Sequence, residues 1–196
     1  NTSIWYKSEP SWMDEIDIDF VDSGNSLLKT LEYGLSQNGS IAWNPIQAND
    51  VSTRQFNTNW SMDWNLFSEG TTDVLARASD HAENEVNSGV LFSLKKDERA
   101  PSYNLGIDPA AAMFNTWYNV DPGSYGQITF SVFDQGPSKL KQVSWMISCN
   151  GIIIERSLSV GLGDTVNIIG VSWNELGNGV NDIMLFATDN ALNVLR

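Results

Sequence analysis

Apolar and polar residues alternate along much of this chain. In WMDEIDIDFVD (residues 12–22), Ile16, Ile18 and Phe20 share one face of an extended strand, while Asp17 and Asp19 share the other. The period of two predicts a strand with a wet acidic face, and the like charges suit a sheet edge. The C-terminal third repeats the pattern more clearly. GQITFSVFD (126–134), KQVSWMISC (141–149), IIIERSLSV (152–160), DTVNIIGVSW (164–173) and VNDIMLFAT (180–188) read as five strands. In the second of them, Val143, Trp145, Ile147 and Cys149 share a face. Asn150-Gly151 follows as a two-residue hairpin turn, because both positions tolerate positive φ. Short polar connections make the sheet antiparallel.

Two stretches read as helical. NSLLKTLEYGL (25–35) spaces Leu27, Leu28, Leu31 and Leu35 at helical intervals behind a Ser26 N-cap, predicting a helix over about 25–36. DPAAAMFNTWY (108–118) opens with Asp108 and Pro109 in N-cap and N1 positions. TDVLARASDHAENEV (72–86) fits either a polar helix or a strand followed by a loop. No internal repeat or low-complexity linker marks a boundary. The expected fold is mainly β: a single-domain antiparallel β-sandwich over 1–196, with its clearest strands in 126–188 and one or two flanking helices.

Composition narrows the function. With 196 residues, 41% hydrophobic and eight Trp, the chain can bury a substantial core. A net charge of −13 argues against nucleic acid as a partner, since phosphate binding needs Lys and Arg. It equally opposes simple attraction to anionic lipid. No apolar run approaches the ~18 residues of a membrane-spanning helix. The single cysteine, Cys149, sits in apolar SWMISCNG and reads as a buried structural thiol. Sequons at Asn1, Asn38 and Asn59 suit a secreted or extracellular glycoprotein.

Little in the chain advertises catalysis. His81, the single histidine, lies in polar ASDHAEN and reads as an exposed residue rather than a triad base. One His and one Cys cannot furnish the usual N/S ligand set of zinc. VGLGDT has glycines but neither the spacing nor the lysine of a phosphate loop. No cofactor is expected. Calcium could be held by carboxylates of the 14–22 segment, Asp17 and Asp19 foremost, although the spacing is not that of an EF-hand.

The aromatics are more suggestive. Trp60 and Trp64 lie in NTNWSMDWNLF, and Trp117 and Tyr118 in FNTWYN, each interleaved with Asn, Asp or Ser. Flat rings beside amides and hydroxyls can stack on sugar faces or meet a quaternary ammonium, or they can simply fill a core.

The order of SLLKTLEYGL, IAWN, LFSEGTTDVL, GVLFSLKKDERAP, ITFSVFD and VSWMISCNG resembles the actinoporin-like cytolysins and their relatives, the fungal fruit-body lectins. The collinear match covers roughly residues 16–151. The resemblance implies a short amphipathic helix ahead of a two-sheet sandwich, with Ser68 and Ser131 near a phosphocholine pocket and Trp145 near the aromatic-rich loop strand. The chain departs from that pattern in four ways. QGPSKLKQVS replaces the choline-caging aromatics, the later paired tyrosines and the Arg-Gly-Asp tripeptide are absent, and the charge is strongly acidic.

The function expected first is therefore a non-enzymatic β-sandwich binding glycan or membrane lipid headgroups through exposed aromatics. Trp60, Trp64, Ser68, Trp117, Tyr118, Ser131 and Trp145 are its candidate ligand-binding residues. In the cytolysin form, residues 23–37 would leave the sheet for the membrane interface, which the acids beside them oppose. A second reading is a self-assembling coat, filament or matrix subunit with a jelly-roll core, a homo-oligomer kept soluble by its acidic surface. A polysaccharide-acting hydrolase with paired carboxylates is a third.

Overall fold

The computed structural model describes residues 4–106, 127–159 and 163–195. The chain is mainly β and divides into two compact units, Asn1–Asp97 and Glu98–Arg196, where the sequence pattern alone suggests a single domain.

Unit 1 is built on a five-stranded sheet in the order β1 (Trp5–Tyr6), β7 (Glu85–Lys96), β6 (Gly70–Asp80), β3 (Leu28–Gln37) and β4 (Ser40–Pro45). All neighbours are antiparallel except β1 and β7, which run parallel with Trp5 opposite Lys95 and Tyr6 opposite Lys96. A smaller pair, β2 (Phe20–Val21) with β5 (Gln55–Phe56), and an isolated bridge between Ile16 and Trp60 give the segments 13–21 and 55–67 their order. Met13, Ile16, Trp60, Met62, Trp64 and Phe67 from these segments pack on Tyr33, Leu35, Val74 and Leu94 from the sheet. The alternation expected over 12–22 holds by face: Ile16 is buried, Ile18 and Phe20 are half-buried, and Asp17 and Asp19 are exposed. Regular strand pairing survives there only in pieces.

The helix expected over about 25–36 is a strand. Leu31, Tyr33 and Leu35 alternate inward along β3, as period two requires. A register shift between Leu28 and Thr30 turns Leu28 onto the same buried face. That irregularity leaves leucines three and four apart in sequence, which imitates a helix. The segment assigned to membrane insertion by the cytolysin resemblance is thus an inner strand of the sheet. The open choice over 72–86 resolves as strand β6, a tight turn and the start of β7.

Unit 2 comprises a four-stranded sheet, β11 (Ile152–Ser159), β10 (Leu140–Cys149), β13 (Asp182–Asp189) and β14 (Val194–Leu195). A three-stranded sheet, β12 (Thr165–Ser172), β9 (Gln127–Phe133) and β8 (Ser102–Gly106), accompanies it. Val132 of β9 and Val166 of β12 pack against Leu140, Val143, Ile147 and Ala187 of the other sheet, forming a sandwich core. All five strands expected in the C-terminal third are present, and Cys149 is buried. Asn150 and Gly151 make the β10–β11 turn at φ 51° and 80°. The helix expected over 108–118 falls outside the described residues. Among those described, the only helical turns are short 3-10 segments.

The units repeat one another. Asp22, Gly24, Ser26, Leu28, Asn38 and Gly39 correspond at one constant offset to Asp134, Gly136, Ser138, Leu140, Asn150 and Gly151. Leu27 and Lys139, the residues before β3 and β10, both take φ 67°. Each strand then shows a register shift near its start, at Leu28/Thr30 and at Leu140/Gln142. The hairpin turns at Asn38-Gly39 (52°, 82°) and Asn150-Gly151 match as well.

Leu31 is 1% exposed in the middle of the unit 1 core. Leu31→Ala should therefore lower unfolding free energy by about 2–5 kcal/mol in urea titrations followed by tryptophan fluorescence. A loss below about 1 kcal/mol would mean that β3 is not held as described.

Candidate functional site

Three features could carry chemistry: an aspartate-centred clasp present in both units, a histidine cluster, and the surface aromatics.

In unit 1 the clasp begins with Asp80 at the end of β6. Its Oδ1 accepts the Asn84 backbone N–H at 2.8 Å and its Oδ2 accepts the Asn84 side-chain amide at 2.8 Å. Its backbone N–H donates to the Asn84 carbonyl, and Glu83 N–H donates to the Asp80 carbonyl. Glu83 closes the turn at φ 65°. Ser26 Oγ donates to Asp80 Oδ2 at 2.6 Å and lies 3.5 Å from Asp22 Oδ2. Asp22 in turn accepts from the backbone N–H groups of Gly24 and Leu27. The clasp thus ties the loop entering β3 to the turn leaving β6.

Unit 2 repeats the turn at the end of the strand and the Asp/Ser loop beside it. Asp189 accepts the Asn193 N–H and side-chain amide, both at 2.9 Å, and Leu192 occupies the turn at φ 68°. Asp134 accepts the Gly136 N–H at 2.9 Å, and Ser138 Oγ lies 3.5 Å from its Oδ2. A strand-to-turn bond recurs too: His81 N–H donates to the Leu27 carbonyl, and Asn190 N–H to the Lys139 carbonyl. The carboxylates of Asp134 and Asp189 approach within 4.8 Å, and both residues are buried.

The hydrogen bonds fix the protonation state of Asp80. The Asn84 amide and the Ser26 hydroxyl, with the backbone N–H groups of Asn84 and Ala82, outweigh desolvation and hold the carboxyl down at about 2. Sequence reading named His81 in this turn but not Asp80. The signal was the Asp-x-x-x-Asn spacing, which recurs in ATDNALN.

His81 is exposed in the turn after β6. Its Nε2 lies 3.0 Å from Asp50 Oδ1 and 3.4 Å from Ser52 Oγ, and Ser52 Oγ donates to Asp50 Oδ1 at 2.9 Å. A nucleophile–base–orienter relay needs the hydroxyl and the carboxylate on opposite ring nitrogens. Here both meet the same nitrogen, so the trio is an exposed polar cluster and not a relay.

The candidate ligand-binding residues are scattered. Trp60 and Trp64 are buried in the unit 1 core, Trp60 stacked on Tyr33 and Trp64 on Phe67, so neither offers a free ring face. Ser68 is exposed just ahead of β6. In unit 2, Trp145 is half-buried against the sandwich core. Ser131 lies on β9 in register with Asn104 of β8 and Asn167 of β12, and its hydroxyl donates to Asn167 Oδ1 at 2.7 Å. Trp117 and Tyr118 fall outside the described residues. Asp17 and Asp19 are exposed, and neither joins a group of three convergent metal-ligating side chains among the described residues. The exposed tryptophan that sequence reading passed over is Trp12, 38% exposed, which lies edge-on to Tyr6 and Phe92.

No family model matches the chain, and no curated protein matches it. Among solved structures it is similar to a tetra-tandem repeat from the extending region of a large adhesion protein, at 17% identity and TM-score 0.39. That match covers 90% of this chain and 46% of the other, so the chain spans under half of that relative's length. It is also similar to fibronectin(III)-like modules of Clostridium thermocellum CbhA (13% identity, TM-score 0.31, 97% and 83% covered). A third likeness is to a Ca2+-stabilized adhesin with which an Antarctic bacterium binds ice (13% identity, TM-score 0.25, 93% and 42% covered).

Because folding lowers the Asp80 pKa, its contribution to stability is complete above the unfolded value near 3.8 and is lost as pH falls toward about 2. Denaturation midpoints measured from pH 5 to 2 should fall across that window. Asp80→Asn should be less stable than wild type at pH 6 and should lose part of that fall. Identical pH profiles for the two proteins would contradict the clasp.

Proposed function

We propose that this chain is a pair of tandem, non-enzymatic β-modules from an extracellular binding protein, with glycans as the ligand class. The observation that carries this reading is the repetition itself. Two units share a strand register, a positive-φ entry residue, an Asn-Gly hairpin and an Asp/Ser/Asn clasp, while their core side chains differ. A shared framework with variable filling is how chains extend by adding copies of one module. The conserved polar groups sit in turns and bond to one another, so their role in this reading is structural.

Glycan binding draws its support from unit 2. Asn104, Ser131 and Asn167 lie in register across the three strands β8, β9 and β12. Two amides flanking a hydroxyl supply donors and acceptors of the kind that pair with sugar hydroxyl groups. Among the described residues no helix is long and apolar enough to cross a membrane.

A glycan array, with liposome flotation alongside, tests the ligand class. Retention on a defined glycan that Asn167→Ala weakens, at unchanged circular dichroism, is the expected result. Flotation with phosphatidylcholine vesicles and no glycan retention would favour a lipid headgroup instead. No retention on either would remove the ligand reading and leave the modular one.

A further inference from the structure

We propose that unit 1 carries a docking site for a basic polypeptide, with a Lys or Arg side chain of the partner seated against Trp12 between Glu15 and Asp17. The site is a groove of about 390 Å³ whose rim includes Tyr6, Trp12, Phe92, Glu15 and Asp17, over a floor formed by Ile16 and Leu94. Trp12 stands edge-on to Phe92 at 5.7 Å and to Tyr6 at 6.4 Å, which fixes its ring while leaving 38% of the residue in solvent.

The other tryptophans of unit 1 show what is distinctive about this one. Arg77 lies 4.3 Å over Trp43, Lys96 4.5 Å over Trp64 and Lys95 5.5 Å over Trp5, while Trp60 stacks on Tyr33. Among the described residues no Lys or Arg lies over Trp12. Its neighbours in the groove are instead two exposed carboxylates, Glu15 and Asp17, neither of which forms an ion pair among those residues. Aromatic walls and an apolar floor are complementary to the stem of a long cationic side chain, and the two carboxylates to its head. Asp14 and Asp19, exposed on the same segment, extend the negative field, and a net charge of −13 steers cations inward.

A polypeptide, not a free ammonium ion, fits the surroundings. The groove adjoins β7, whose residues Glu85–Leu91 are all exposed. Among them, Val86 is 65% and Val90 58% exposed. On its outer side β7 pairs only with β1, at Lys95 and Lys96, among the described residues. An extended partner can therefore hydrogen-bond along the outer edge of β7 and cover Val86 and Val90 while its basic side chain enters the groove. This site is independent of the glycan reading for unit 2.

The test is isothermal titration of the whole chain with octalysine, octaglutamate and tetramethylammonium. Octalysine should bind, with affinity falling about threefold or more in Trp12→Ala and in the packing-neutral double variant Glu15→Gln/Asp17→Asn. The charge-matched control Glu155→Gln/Asp182→Asn, on unit 2, should bind as wild type does. Hydrogen exchange should slow along Glu85–Leu91 when octalysine is bound. Equal weakening by both double variants would reduce the effect to net charge and overturn the proposal, as would absence of octalysine binding. Tetramethylammonium matching octalysine, with no protection of β7, would overturn the polypeptide assignment. Trp12→Ala can also disturb its neighbours, so the double variant decides the matter if that protein is poorly folded.

Discussion

Everything in these units depends on holding an inner strand in register at the point where its ladder begins. β3 and β10 each start from a residue at positive φ and slip by one position soon afterwards. Left to itself such a start could pair in more than one way, and a one-residue slip sends every apolar side chain to the wrong face. The Asp80 and Asp189 clasps remove that freedom. Each carboxylate gathers the donors of its own turn, and the loop ahead of the strand is tied to that turn, by Ser26 on Asp80 in unit 1 and by Asn190 on the Ser138 and Lys139 carbonyls in unit 2. At Asp80 the acceptor is ionised, and hydrogen bonds to an ionised acceptor are among the stronger ones available.

Much of the fold was legible because period-two alternation is a direct image of a half-buried strand. The strands from β9 to β13 and the Asn150-Gly151 hairpin follow from it. β3 was not legible, for a local reason: the register shift at Leu28 breaks the alternation and leaves leucines at helical spacing. The division into two units was hidden for a different reason. The positions that repeat are turn and clasp residues, a sparse set, whereas the buried positions differ in kind: Tyr33 stands where Trp145 does, and Leu31 where Val143 does. Cores tolerate such exchanges as long as volume and pattern persist. Hydrophobic matching therefore blurs a repeat that turn chemistry preserves.

The candidate sites were less legible than the fold. Interleaving Trp with Asn and Ser does not say which way a ring points, and Trp60 and Trp64 point inward onto the sheet. Trp12 is flanked by Ser11 and Asp14 as well, yet its setting comes from Phe92 on a distant strand. Ser131 was named for a resemblance, yet it gains its neighbours from register: β9 sets it between Asn104 and Asn167. In each case the decisive partner is remote in sequence.

The parallel pairing of β1 with the end of β7 has a mechanical consequence. Tension entering unit 1 at its N-terminal side pulls β1 backward along its own axis, while tension leaving after Asp97 pulls β7 forward. Because the strands run the same way, their bonds are loaded in shear, all together, rather than peeled one at a time as in a hairpin. The contact from Asp97 N–H to the Tyr6 carbonyl, at 2.9 Å, lengthens the loaded row. A short strand of two residues, trivial as a contributor to thermal stability, lies where a stretched chain would first have to yield.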